Sequence, residues 1–108
     1  MAEYSKVMRA SALREGQLAV GRVGIRQVAL VRRNGEVFAF RNVCPHAGQS
    51  FATARPVGYR VTCPRHQWEF DIRDGACAAH DLYRLRVYPA REEGDWILVA
   101  PTEDDEIW

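Results

Sequence analysis

The stretch Val28-Ala29-Leu30-Val31-Arg32-Arg33-Asn34-Gly35-Glu36-Val37-Phe38-Ala39-Phe40 decides the fold class. Two apolar, β-prone runs flank an Asn-Gly pair, the strongest short-range signal for a tight β-hairpin. The same habit continues on both sides. Upstream, residues 5–10, 17–23 and 26–33 read as strands, broken by Arg14-Glu15-Gly16 and by Gly24. Downstream, 59–62, 68–72, 85–88 and 96–99 read as strands, with Asp74-Gly75 and Glu93-Gly94-Asp95 as turns. Within 68–72, Trp68, Phe70 and Ile72 fall on one face and Glu69 and Asp71 on the other. No apolar period of 3.6 residues lasts long enough to demand a helix. Eight or nine short strands therefore predict an all-β, antiparallel sandwich or barrel.

At 108 residues, one domain spanning 1–108 is expected. A hydrophobic fraction of 47% and a charged fraction of 27% are those of an ordinary soluble globular chain. The net charge of +1, with fourteen of fifteen basic residues being dispersed arginines, gives no reason to expect nucleic-acid binding. Such charges are expected to form a solvated surface. Residues 1–10 carry Glu3, Lys6 and Arg9 and lack an apolar run of signal-peptide length. No stretch approaches the about twenty apolar residues that span a bilayer. Of three cysteines, Cys77 has no evident partner for a disulfide framework, so a reducing cytoplasm is the expected compartment. The acidic run 103–106 is expected to be solvated.

Immediately after the hairpin comes Cys44-Pro45-His46. After sixteen intervening residues comes Cys63-Pro64-Arg65-His66. Two mixed Cys/His pairs on separate loops offer two thiolates and two imidazoles. Soft thiolates select iron–sulfur, copper(I) or zinc, whereas carboxylates would select magnesium or calcium. A two-iron cluster with one iron held by sulfur and the other by nitrogen uses this donor set. A structural zinc accepts the same ligands. Typical zinc sites, however, pair like with like (C-x₂₋₄-C and H-x₃₋₅-H), and here each pair mixes the two types. Pro45 and Pro64 shape the loops, and Gly48 permits close backbone approach. Trp68 reads equally as a cluster shield, a partner-facing residue or a core residue. His80, beside Asp81, has no ligand pattern, and Cys77 reads as a small buried apolar residue.

The C-x-H…C-x-x-H pattern, the hairpin before it and the aromatic strand after it resemble the Rieske-type ferredoxins over nearly the whole chain. That resemblance implies a Rieske fold, with a small cluster-binding subdomain at approximately 42–82. It implies one [2Fe–2S] cluster, with Cys44 and Cys63 on the inner iron and His46 and His66 on the outer one. It also implies a one-electron carrier rather than an enzyme. The carrier would run between an NAD(P)H-dependent flavoprotein reductase and a terminal oxygenase of aromatic hydrocarbon catabolism. A monomer with transient partners is expected, with no nucleic acid and no membrane. The alternative it leaves is the small Rieske subunit of an assimilatory nitrite reductase.

Histidine ligation raises the potential from about −400 mV for all-cysteine ferredoxins to roughly −150 to +300 mV. High-potential relatives carry an extra cysteine in each loop and a serine after the second histidine. Here Gln49, Arg65 and Trp68 stand in those places, so a midpoint below 0 mV is expected. Only His80 remains for a mononuclear iron, and no G-x-G-x-x-G fingerprint occurs, so neither oxygen activation nor nicotinamide oxidation is expected of this chain.

Overall fold

Why one sheet lies between two cores is visible in the burial of a single strand. In the computed structural model, which describes residues 4–45, 48–65, 67–78 and 82–100, Val28, Ala29, Leu30 and Val31 are all buried. A continuous apolar run of this kind fits a strand covered on both faces. Strand β3 (Arg26–Arg33) directs Val28 and Leu30 into one core and Ala29 and Val31 into another. Strand β4 (Glu36–Arg41) repeats the division: Val37 and Ala39 enter the first core, and Phe40 the second.

The central sheet has the order β2 (Leu18–Val23), β3, β4, β7 (Val87–Tyr88), with every neighbour antiparallel. On its first face lies a three-stranded sheet of β1 (Ser5–Arg9), β9 (Trp96–Val99) and β8 (Ala90–Glu93). Ile97 and Val99 fill the core between the two sheets. On the second face lies the small pair β5 (Arg60–Thr62) and β6 (Glu69–Asp71), which contributes Val61 and Phe70 to the second core. Each fully buried apolar side chain of this size stabilises the fold by about 1.5–3 kcal/mol. The all-β, antiparallel class expected from the hairpin signal is the observed one.

The turns follow their residues. Asn34 and Gly35 have φ of 54° and 78°, so both central positions are left-handed, as a type I′ hairpin turn requires. Between β2 and β3, Gly24 alone has positive φ (63°), leaving Ile25 as the second turn residue.

Several features depart from the sequence reading. The expected strand 85–88 is only two residues long, and the chain then changes sheets after Pro89. A strand not expected at all, β8, runs from Ala90 and pairs with β9. Arg91, Glu92 and Glu93 are exposed on this edge strand, so it carries no apolar alternation to announce it. A short 3₁₀ turn, Ala10–Ala12, closes β1. The arginines are not all merely solvated. Arg32 is half-buried, donating to the carbonyl oxygens of Leu13 (2.8 Å) and Ala10 (3.0 Å) and to the Glu92 carboxylate. It thereby ties the 3₁₀ turn and β8 to the central sheet. The acidic run 103–106 lies outside the described residues.

Candidate metal centre

The first cysteine loop leaves the end of β4, and the second is the loop between β5 and β6. Cys44 and Cys63 are 1% and 0% exposed and belong to the same buried cluster. Beneath them Phe40, Phe51 and Phe70 meet edge to face, with ring centroids 5.5 and 6.1 Å apart. Such contacts add specificity to a dry floor. None of the three cysteines forms a disulfide. The surrounding loop residues Pro45, Gly48, Pro64, Arg65 and Gln67 are exposed. Each loop therefore turns its sulfur inward while its tip faces solvent.

Both loops close by the same hydrogen bonds. The Cys44 carbonyl oxygen accepts from the Gly48 N–H (2.8 Å), and the Cys44 N–H donates to the Gln49 carbonyl (2.8 Å). The Cys63 carbonyl accepts from the Gln67 N–H (2.8 Å), and the Cys63 N–H donates to the Trp68 carbonyl (2.9 Å). The residue four after each cysteine is left-handed, with φ of 69° at Gly48 and 61° at Gln67. Gly48, read from the sequence as permitting close backbone approach, uses glycine's freedom to take this positive φ. Its counterpart at Gln67 carried no signal, because glutamine rarely adopts that conformation.

A buried polar clamp holds the first loop, and the sequence reading missed it. Asn42 is 3% exposed. Its Oδ1 accepts from the Phe51 N–H (2.8 Å), and its Nδ2 donates to Ser50 Oγ (2.9 Å) and Gln27 Oε1 (3.2 Å). Its own N–H donates to the Gln27 carbonyl (3.1 Å). One side chain thus joins the entry and exit of the Cys44 loop to β3. An asparagine between an apolar strand and a Cys-Pro-His motif is a clue only in retrospect.

His46, His66, His80 and Asp81 lie outside the described residues, and among the described residues no three metal-type side chains form a group. What the structure does place is the pair of inward-facing thiols. Trp68 is half-buried, packs on the second core and meets Tyr83 at 5.3 Å between centroids, so it serves the core and the rim together. Cys77 is half-buried rather than fully buried, bridged to Phe70 where 76–78 runs along β6.

Residues 3–89 match the family model described as the Rieske [2Fe-2S] domain. The chain belongs to the Rieske [2Fe–2S] family. A relative, the ferredoxin component of the alkene monooxygenase system of Xanthobacter autotrophicus, is 29% identical over 91% of this chain and 81% of its own length. The ferredoxin of carbazole 1,9a-dioxygenase from Nocardioides aromaticivorans is 29% identical in sequence. It superposes with a TM-score of 0.84, covering 92% of this chain and 98% of that one. A Mycobacterium tuberculosis protein named for the small subunit of an NADH-dependent nitrite reductase superposes with a TM-score of 0.85 at 25% identity, over 94% and 97% of the two chains.

The cofactor of this Rieske protein is the [2Fe–2S] cluster, and the described residues fit it. Two unbridged cysteines, both buried in one apolar cluster on symmetric loops, would supply the thiolate half of the donor set. No helix among the described residues is long and apolar enough to cross a membrane.

Proposed function

We propose that this chain is a one-electron carrier, taking electrons from an NAD(P)H-dependent flavoprotein reductase and delivering them to a terminal, aromatic-ring oxygenase. Cys44 and Cys63 hold the inner iron, and His46 and His66 the outer one. The cluster supplies reversible one-electron storage when bound, and the chain's own work is to bury one side of it and present the other. The observation that carries this reading is the pairing of buried cysteines with exposed loop tips. Insulated sulfurs restrict exchange to the tip, where both histidines stand in sequence.

The carrier acts as a monomer with transient contacts, since a shuttle must leave each partner quickly. It resides in the cytoplasm, where the reductase meets its nicotinamide. The cluster-binding subdomain at approximately 42–82 works as a unit on the sandwich. Gln49, Arg65 and Trp68, standing where high-potential relatives keep cysteines and a serine, support a midpoint below 0 mV.

The comparable likeness to the nitrite reductase small subunit keeps a second reading, that of a fixed subunit in such an enzyme. The test is turnover in a reconstituted reductase–carrier–oxygenase system. Wild-type chain is expected to support turnover, and His46→Ala and His66→Cys to abolish it. Undiminished turnover by either variant would overturn the assignment. Co-purification with a nitrite reductase large subunit, with no turnover as a carrier, would favour the second reading.

A further inference from the structure

Both cysteine loops are tied to one strand. At the start of β3, Gln27 holds Asn42 by backbone and side chain, and Asn42 holds the exit of the Cys44 loop at Ser50 and Phe51. At the end of β3, the hairpin tip reaches the segment that leads into β5. Arg33 Nε donates to the Gly58 carbonyl (2.7 Å), and its Nη2 donates at longer range to the Pro56 carbonyl (3.4 Å). Asn34 Nδ2 donates to the Tyr59 hydroxyl (2.6 Å). The Phe38 ring meets the Tyr59 ring edge to face, 5.7 Å between centroids.

Tyr59 is held from every side. It is the second central residue of a tight turn in which Val57 and Arg60 exchange backbone hydrogen bonds (2.9 and 3.0 Å). Gly58 takes the positive φ (58°) that the first central position of a type II′ turn requires. The Tyr59 carbonyl accepts from the Ile72 N–H (2.8 Å). The Arg73 guanidinium lies 4.3 Å over its ring and makes two hydrogen bonds to the Asp71 carboxylate. Asn34 is equally fixed: its left-handed turn, and its N–H on the Glu15 carboxylate (2.6 Å), leave its amide to reach outward. Glycine at 34 would serve the turn alone. Phenylalanine at 59 would make the same ring contacts. The two polar groups are needed together for the bond between them.

We propose that Tyr59 is a positioning residue for the cluster, anchoring the Cys63 loop to the same strand that anchors the Cys44 loop. The proposal rests on the reading of Cys63 as a ligand. In the β5–β6 pair, Arg60 stands opposite Asp71 at the Tyr59 end and Thr62 opposite Glu69 at the cysteine end. The two ends are about 10 Å apart, from three residues at about 3.3 Å each. Thr62 leads directly into Cys63, so a tilt of the pair at Tyr59 displaces Cys63 relative to Cys44. With both loops fixed to β3, the two thiolates keep one separation in either oxidation state, as ligands locked by their outer partners do.

The test uses the full-length, cluster-loaded chain with Tyr59→Phe, Asn34→Gly and the two combined, and Ile97→Val in the first core as a comparison. Tyr59→Phe keeps the ring against Phe38 and Arg73, and Asn34→Gly keeps the hairpin turn. Each single variant is expected to broaden the electron paramagnetic resonance lines of the reduced cluster. Each is also expected to quicken bleaching by chelator about tenfold, the loss typical of an outer partner of a metal site. The double variant is expected to match the singles, because all three break one bond. Ile97→Val is expected to lower the thermal midpoint and leave the lines unchanged, as a purely structural change does. Lines and bleaching at wild-type values in both single variants overturn the proposal. So do effects that add in the double variant, or broadening of the same size in Ile97→Val. A wild-type protein without a two-iron signal overturns the ligand reading itself, and the positioning of Cys63 with it.

Discussion

Gly48 and Gln67 occupy the same place in two differently spaced loops. Each lies four residues after a buried cysteine, is left-handed and donates its N–H to that cysteine's carbonyl. A Cβ at Gly48 would meet nothing within 4 Å among the described residues, so Gly48→Ala is expected to carry the conformational cost of about 1–2 kcal/mol. Gln67 already bears that cost. Gln67→Gly relieves it while adding about 0.4–1 kcal/mol of unfolded-chain freedom. Thermal midpoints of the loaded protein are expected in the order Gln67→Gly at or above wild type, and Gly48→Ala below it. The reverse order would contradict the shared geometry.

Gly75 makes the opposite comparison. It also has positive φ (84°), but a Cβ there runs into the Leu85 carbonyl oxygen. That backbone cannot give easily, because the Leu85 N–H donates to Gly75 (2.8 Å) and the Gly75 N–H to Asp71 (2.7 Å). Gly75→Ala is expected to lower the thermal midpoint far more than Gly48→Ala, and an equal effect would show that the approach of 75 to 85 is dispensable.

Asn42→Ala strands the buried Phe51 N–H and removes the tie between Ser50 and Gln27. Leaving a buried donor unmet costs about 1–3 kcal/mol. Denaturant titration should register a loss of that size, with faster bleaching of the cluster by chelator. Asn42→Asp keeps the Phe51 acceptor and should fall between alanine and wild type. An alanine variant with wild-type bleaching would separate Asn42 from the loop it clamps.

Acid sensitivity is expected at the far end of the sheet. The Gly35 N–H, with that of Asn34, holds the Glu15 carboxyl below its ordinary value of 4.5, and Arg33 and Arg32 act in the same direction. A lowered folded-state value stabilises the chain above the unfolded value. That contribution is lost as pH falls through the folded one. Asp71, lowered by the Arg73 guanidinium, has the same sign. Glu15→Gln should therefore narrow the gap in thermal midpoint between pH 7 and pH 3, and an unchanged gap would remove Glu15 from the account.

Much of the framework was legible. Asn34-Gly35 named its hairpin and turn, and the bounds of β3 match the residues read as its strand. Other parts were silent for physical reasons. The edge strand β8 is polar because its side chains face water, so alternation could not reveal it. Arg32 looks like any surface arginine until three elements gather around it. Asn42 and Gln67 matter through backbone partners distant in sequence, which no local pattern encodes. Cys44 and Cys63 stood out through the mixed Cys/His pairing, and the structure buries both side chains; their ligand role is proposed from that motif. His46 and His66 rest on the motif itself.

The most direct test of the central claim is a redox titration of the purified, full-length protein followed by electron paramagnetic resonance. The account predicts a single one-electron transition of a two-iron cluster with its midpoint below 0 mV. A colourless zinc protein, or a midpoint well above zero, would contradict it.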